Sequence, residues 1–375
     1  MTFEEKIRSI PEKAGVDILI AMSPENFSYV SQAYIITVEM IRPRQAFAIL
    51  PQKGEPVALI CSIEESLTRE ETWIKDIRTY TEFTDYPIDS LVSVLKDLGF
   101  KKGKLGIDLK YLPYLSYARL SQLLPGVEIV DTTDAVARER AIKTDKEIGA
   151  IEFAAKATHA AAIEAMASSR LGESEKVMAN RMITKMIEKG ASGTFFLVFG
   201  SSLRTALTHG MPTDRVPKES EIIRFDFGGR FGMWTSDFAR AYSTGKPTEL
   251  QRKAYRDLKE IQEETIKSIK PGVPAEELFF KCKAGYEKRK RLFFMPHIGH
   301  GFGIELHEYP MLRPGNKTLI EKGMVLNIEP ILKDEDGCLY HLEDLVAVTD
   351  NDHRILTLGL PPAEIPVIGK PLQVG

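Results

Sequence analysis

Residues 221–242, EIIRFDFGGRFGMWTSDFARAY, decide how this chain is read. Glu221–Phe227 is a strand-like apolar run interrupted by one acid, Asp226. Gly228, Gly229 and Gly232 then offer a turn, and Met233–Tyr242 returns as a second strand carrying Asp237. Strand, turn and strand make a β-hairpin, in which carboxylates on neighbouring strands can converge on one point. A bare charge inside an apolar strand is unfavourable unless something pairs with it, and a bound cation does so.

The same anomaly recurs downstream. Glu329 ends the run Met324–Glu329 (MVLNIE), and Glu343 lies in Leu339–Val348 (LYHLEDLVAV), which reads as a single strand. His300 sits in Gly299-His-Gly-Phe-Gly303, where glycines allow the backbone to come close to a site. Four carboxylates and one imidazole form a ligand set for two divalent metal ions. Hard oxygen donors with one imidazole suit Mn²⁺, Co²⁺ or Zn²⁺. Such ions make a nucleophile of water at neutral pH, so the set points to a hydrolase.

Working outward, Thr144-Asp-Lys-Glu147 has the form of a capping box. It opens an Ala-rich helix over Lys146–Ser168, followed by helices at about Ser174–Glu188, Thr248–Ile269 and Glu276–Lys288. The tail after Leu360 reads as an extended strap. Before residue 132 the pattern differs. Val16–Met22, Ala46–Leu50, Val57–Cys61 and Leu105–Asp108 read as strands, with helical spacing at Ile88–Leu98 and Tyr114–Leu124. The expectation is an α/β (α+β) protein of two domains, 1–135 and 136–375, with the boundary inside 132–144.

The chain has 375 residues and a net charge of −3, which gives no global electrostatic reason to bind nucleic acid or an anionic membrane. No apolar run reaches the roughly 18 residues of a membrane span, and the first residues lack the apolar core of a signal peptide. Cys61, Cys282 and Cys338 lie far apart and read as free thiols in a reducing cytoplasm. The expected location is therefore cytoplasmic.

The order Asp226, ten residues, Asp237, then Gly299-His-Gly-Phe-Gly-Ile-Glu-Leu-His-Glu-Tyr-Pro310, then Gly323-Met-Val with Glu329-Pro330, then Glu343-Asp344, resembles the pita-bread metallopeptidases. That group includes methionine aminopeptidase, aminopeptidase P and prolidase. The likeness covers about 140–355, and Arg140–Glu147 resembles their domain junction. The first domain resembles the small domain of the creatinase and prolidase branch. The resemblance implies a peptidase of Xaa-Pro bonds, dipeptidase or aminopeptidase, working through a hydroxide held between two metals. It implies that Asp226 binds one ion, that Asp237 and Glu343 bridge both, and that His300 and Glu329 complete the other. Glu329 would also accept the proton, while His209 and His307 contact substrate or pass a proton. A homodimer and a small peptide substrate are implied as well.

The chain departs from that pattern at the substrate end. Prolidases often carry an Arg near position 311 to clamp the dipeptide carboxylate. Met311 stands there, which leaves Arg313, two residues on, as either a substitute clamp or a solvated loop residue. Many relatives have Arg two residues before the last Glu, where this chain has His341, expected beside the ligands and sharing a strand face with Glu343. Pro296 stands where a His is common, and His297 is next to it. Arg240 is expected as an ion-pair partner near the site.

These departures keep open two other readings. One is a hydrolase of a small non-peptide C–N bond, like ectoine hydrolase or creatinase. The other is a non-catalytic binding protein on the same scaffold, for which the basic run Lys281–Arg291 is the only sign. A solvated helix face explains that run more simply. Trp234 and Phe195, Phe196 and Phe199 read as packing residues near the pocket, and Tyr309 as a residue that closes the pocket or caps its loop.

Overall fold

The computed structural model describes residues 2–372, and the chain divides into two units, Met1–Arg140 and Ala141–Gly375. The first unit is built on a six-stranded sheet. Its order is Asp76–Tyr80, Val57–Cys61, Phe47–Pro51, Ile18–Ala21, Gly103–Ile107 and Val127–Asp131. The Ile18–Ala21 strand is antiparallel to Phe47–Pro51 and parallel to Gly103–Ile107. Ile18, Ile20, Phe47, Ile49 and Leu59 pack with Leu91 and Leu95 of the Pro87–Asp97 helix in one apolar core. The four strands expected here are present, and both outer strands are additional. Asp76–Tyr80 (DIRTY) and Val127–Asp131 (VEIVD) are partly exposed and charged, as edge strands commonly are.

The second unit has two main sheets and two pairs of helices. One sheet places Ile222–Phe231 between Gly193–Ser201 and Phe238–Ser243, all antiparallel. The Asp145–Ser168 and Glu175–Glu188 helices share a buried cluster with it, Ala161, Met178 and Met182 meeting Phe225, Phe227 and Phe238. Ala at those helix positions lets the long helix lie close against the aromatic strands. The predicted capping box is present, with Thr144 and Glu147 each accepting from the other's backbone amide.

The other sheet runs Glu308–Met311, Gly299–Gly301, Val325–Ile328, Asp344–Val348, His353–Ile355. The Glu249–Ile266 and Ala275–Lys288 helices share the core of its strands through Leu258, Ile261, Leu278 and Tyr286. The tail is a strap: Ile368 N–H donates to Ser243 O, and Ile365 and Ile368 are buried. Part of the basic run is ion-paired. Lys288 and Arg289 pair with Glu264, Arg289 also with Glu260, and Arg291 with Asp257 and Glu335.

Three local readings need correction. The hairpin does not turn at Gly228. The strand continues to Phe231 and turns at Gly232, whose φ is +60°. Gly228 is needed for another reason, since a Cβ there would lie 1.8 Å from Ser236 O on the returning strand. The returning strand is interrupted at Ser236-Asp237. Leu339–Val348 is two strands, not one. Leu339–His341 pairs with Ile331–Lys333, while Asp344–Val348 pairs with Val325–Ile328. Leu342-Glu343 falls at the change of partner, so His341 and Glu343 do not share one continuous strand face.

Candidate metal centre

Asp226 sits in mid-strand opposite Ala239, and Asp237 begins the returning stretch. The other sheet supplies His300 on Gly299–Gly301, Glu329 just past Val325–Ile328, and Glu343 just before Asp344–Val348. The five residues predicted as ligands therefore meet where the two sheets face each other. Asp237, His300 and Glu343 are 4%, 0% and 1% exposed.

Histidines crowd the acids. Glu329 Oε1 lies 3.4 Å from both His297 Nδ1 and His300 Nε2, and its Oε2 lies 3.6 Å from His341 Nε2. His341 Nδ1 lies 3.5 Å from Asp226 Oδ2. The His307 ring stacks at 4.1 Å, centroid to centroid, on His300. Two triads thus offer donor atoms within 4.8 Å of one another: His300, His307 and Glu329, and Asp226, His341 and Glu343. Asp237 is in neither triad and is tied to the site through Glu343 and Asn327. His300 Nδ1 lies 2.9 Å from Gly301 O. A proton on Nδ1 donates to that carbonyl and leaves Nε2 as an unprotonated donor toward the acids, the tautomer a metal ligand needs.

The charges are unstable without a cation. Burial pushes Asp226 up to about 6 against the pull of Arg224. Burial and the Asp226 charge push Glu329 up to about 8. Asp237 and Glu343 are driven well above the carboxylate range by burial first and then by neighbouring carboxylates. Burial lowers His300 to about 3, so it is neutral and able to ligate. Glu329 Oε1, Glu343 Oε2, His341 Nε2 and His297 Nδ1 are buried with no hydrogen bond. Closely packed acids with orphaned donor atoms are what a pair of divalent cations would satisfy, so the residues fit the ions.

The cavity over these groups has a volume of about 430 Å³. Its apolar wall includes Phe196, Val198, Phe294, Leu306 and Ile331, and its polar lining includes His209, Arg224, His297 and His307. Of the residues expected near substrate, His209 and His307 line it. Arg313 does not: it is exposed, and its Nη1 donates to Pro314 O at 3.3 Å. Trp234 packs against the Ile151–Phe302 cluster, Phe199 is core, and Tyr309 OH bonds Thr318 Oγ1. Arg240 pairs with Asp344 at 2.7 Å and donates to Glu343 O at 2.5 Å, so it holds the backbone of a ligand strand.

Two residues in the site were not singled out from the sequence. Arg224 Nη1 donates to Thr208 O at 3.1 Å, and its Nη2 lies 3.5 Å from Asp226 Oδ2 and 3.4 Å from His341 Nδ1. It lies two residues before Asp226 on one strand, a spacing that puts both side chains on the same face and could have flagged it. The other is Asn327, 0% exposed beside His300.

Residues 149–350 match the model of metallopeptidase family M24, and residues 5–142 match that of the creatinase/prolidase N-terminal domain. The chain belongs to metallopeptidase family M24. It therefore has the two-domain architecture and pita-bread fold of this group, and it is a metal-dependent hydrolase.

Among M24 relatives, a Xaa-Pro dipeptidase from Pyrococcus horikoshii is 27% identical over 363 residues, covering 94% of this chain and 97% of the relative. One from Pyrococcus furiosus is 26% identical over 361 residues, covering 94% and 97%. The solved prolidase from Thermococcus sibiricus superposes with a TM-score of 0.86 at 25% identity, covering 98% of this chain and 100% of that one. The solved X-Pro aminopeptidase from Thermotoga maritima gives 0.85 at 24%, covering 97% and 99%. Among the described residues, no helix is long and apolar enough to cross a membrane.

Proposed function

We propose that this protein is a dinuclear-metal peptidase that cleaves the bond between an N-terminal residue and proline. Four acids, Asp237 and Glu343 buried and Asp226 and Glu329 half-buried, meeting His300 under a largely apolar cavity carry this reading. Similarity over 94% of the chain to Xaa-Pro dipeptidases supports it. Asp226, Asp237, His300, Glu329 and Glu343 are the ligands we assign, with Mn²⁺, Co²⁺ or Zn²⁺ as the ions. When bound, such ions lower the pKa of water and polarise the scissile carbonyl.

The side chains divide the remaining work. Glu329, whose affinity for a proton is raised by burial, takes one at Oε1, which has no competing hydrogen bond. His307, exposed on the cavity lining beside His300, donates toward the carbonyl oxygen as charge develops there. His209, exposed on the rim, contacts the substrate backbone. Phe196, Val198 and Ile331 exclude water and suit a pyrrolidine ring.

Arg224 is the only Lys or Arg on the cavity wall among the described residues, and its two Nη groups already face Thr208 O and Asp226. With Arg313 off the wall, the site lacks a ready clamp for a carboxylate next to proline. This favours peptides that continue past proline over dipeptides.

The test is proline-bond cleavage by Mn²⁺-loaded protein, comparing Ala-Pro-Ala with Ala-Pro and using Glu329→Ala as control. Faster cleavage of the tripeptide, absent in the variant, is expected. Faster cleavage of the dipeptide would overturn the clamp argument. No turnover of either peptide would overturn the Xaa-Pro assignment.

A further inference from the structure

Asn327 is a polar residue between Leu326 and Ile328 in a fully buried strand. Its backbone already pairs with Gly299–Gly301 on one side and Asp344–Val348 on the other, so the ladder does not use its side chain. Directly opposite stands His300, and paired residues point to the same face. The carboxamide therefore projects toward the acids. Its Nδ2 lies 3.1 Å from Asp237 Oδ2 and 3.4 Å from His300 Nε2, and it contacts Glu343 Oε1. Its Oδ1 is buried with no hydrogen bond.

The chemistry fixes which way the amide faces. An ionised carboxylate only accepts hydrogen bonds, and the NH₂ group of Asn offers two donors. Turned the other way, Oδ1 would press a partial negative charge against two carboxylates. With Nδ2 inward, one N–H serves Asp237 and the other serves Glu343. Glu343 Oε2 is left buried and unpartnered, facing no competing donor.

We propose that Asn327 is a positioning residue of the metal centre, its two N–H groups holding Asp237 and Glu343 at the separation and rotation in which their remaining lone pairs receive the ions. The proposal rests on the dinuclear reading above and adds a residue outside the ligand set. It also explains why a strongly polar side chain is kept in a strand that is otherwise apolar.

The experiment is Mn²⁺ titration by calorimetry of metal-free protein, for the natural sequence, Asn327→Ala, Asn327→Ser and Asn327→Asp. Electron paramagnetic resonance at saturating Mn²⁺ reads the coupling between the ions, and circular dichroism confirms that each variant folds. Removing such a supporting donor typically weakens metal affinity by about 10- to 100-fold. Asn327→Ala should weaken at least one ion by that factor and change the coupled signal. Asn327→Ser, which keeps one donor, should recover part of the affinity. Asn327→Asp, equal in size but an acceptor, should recover none.

Unchanged affinity and signal in Asn327→Ala would overturn the proposal. So would tighter binding by Asn327→Asp, which would make the side-chain oxygen itself a ligand. Failure of the natural sequence to take up two ions would instead overturn the dinuclear reading.

Discussion

Lys143→Met should destabilise the second unit sharply, because it removes the ammonium 2.8 Å from a buried carboxylate. Lys143 Nζ and Glu308 Oε2 form that pair, with side chains only 2% and 3% exposed. The Glu308 carboxylate also accepts from Ile304 N–H at 2.9 Å and Glu305 N–H at 3.3 Å. Breaking one side of a buried pair costs about 3–5 kcal/mol. The amide donors put this case near the lower end. For a unit of this size each kcal/mol lowers the melting temperature by about 2–4 °C, so a fall of roughly 6–12 °C is expected.

Differential scanning calorimetry at neutral pH reads the shift. The double variant Lys143→Met/Glu308→Leu should regain most of it, since the buried charge is gone as well. Glu308 is the chain neighbour of His307, so the single variant should also lower kcat more than it changes KM. A shift under 2 °C, or a double variant less stable than the single one, would refute the reasoning.

Three further outcomes are expected. In metal-free protein the raised folded values of Asp226 and Glu329, about 6 and about 8, mean that the folded state holds protons the unfolded chain has already released. That stabilisation is complete below the unfolded carboxylate range and is lost as pH rises through the folded values. Melting temperature should therefore fall from about pH 4 to pH 8, and added Mn²⁺ should abolish the fall; a flat metal-free profile contradicts the electrostatics. Glu329→Gln should reduce kcat by about 10²–10⁴-fold while circular dichroism stays unchanged, and activity within threefold of the natural sequence would exclude Glu329 as the proton acceptor. Gly228→Ala, with a Cβ 1.8 Å from Ser236 O, should destabilise by about 1–3 kcal/mol, and an unaltered thermal transition would show that the hairpin yields freely.

Elements with strong apolar periodicity were legible in the sequence. The central strands of the first sheet and the long capped helices fall close to where their patterns place them. The outer strands Asp76–Tyr80 and Val127–Asp131 were not, because a half-exposed edge needs no apolar alternation. The break at Leu342-Glu343 was hidden for another reason. Periodicity reports burial, and both halves are buried while pairing with different strands.

The site was legible where a charge contradicted its surroundings, as at Asp226, Glu329 and Glu343. Asn327 carries no charge and gave no such contradiction. Arg224 passed as one more cation in a chain whose Lys and Arg total 50, until its burial at 3% exposure set it apart. Arg313 shows the converse: spacing offered its guanidinium as a clamp or as a solvated loop residue, and the loop turns it outward.

Asp226 and Asp237 come from one sheet, and His300, Asn327, Glu329 and Glu343 come with the other. The second sheet alone offers the triad of His300, His307 and Glu329, but on the proposed ligand set the paired site needs both halves, so full affinity for two ions would appear only after the two sheets have docked. Uptake of the second ion would then be a late event in the life of the chain and a report that assembly is finished. Ions that hold this seam closed would also slow its reopening, so starvation for metal would shorten the survival of the folded protein as well as silence it.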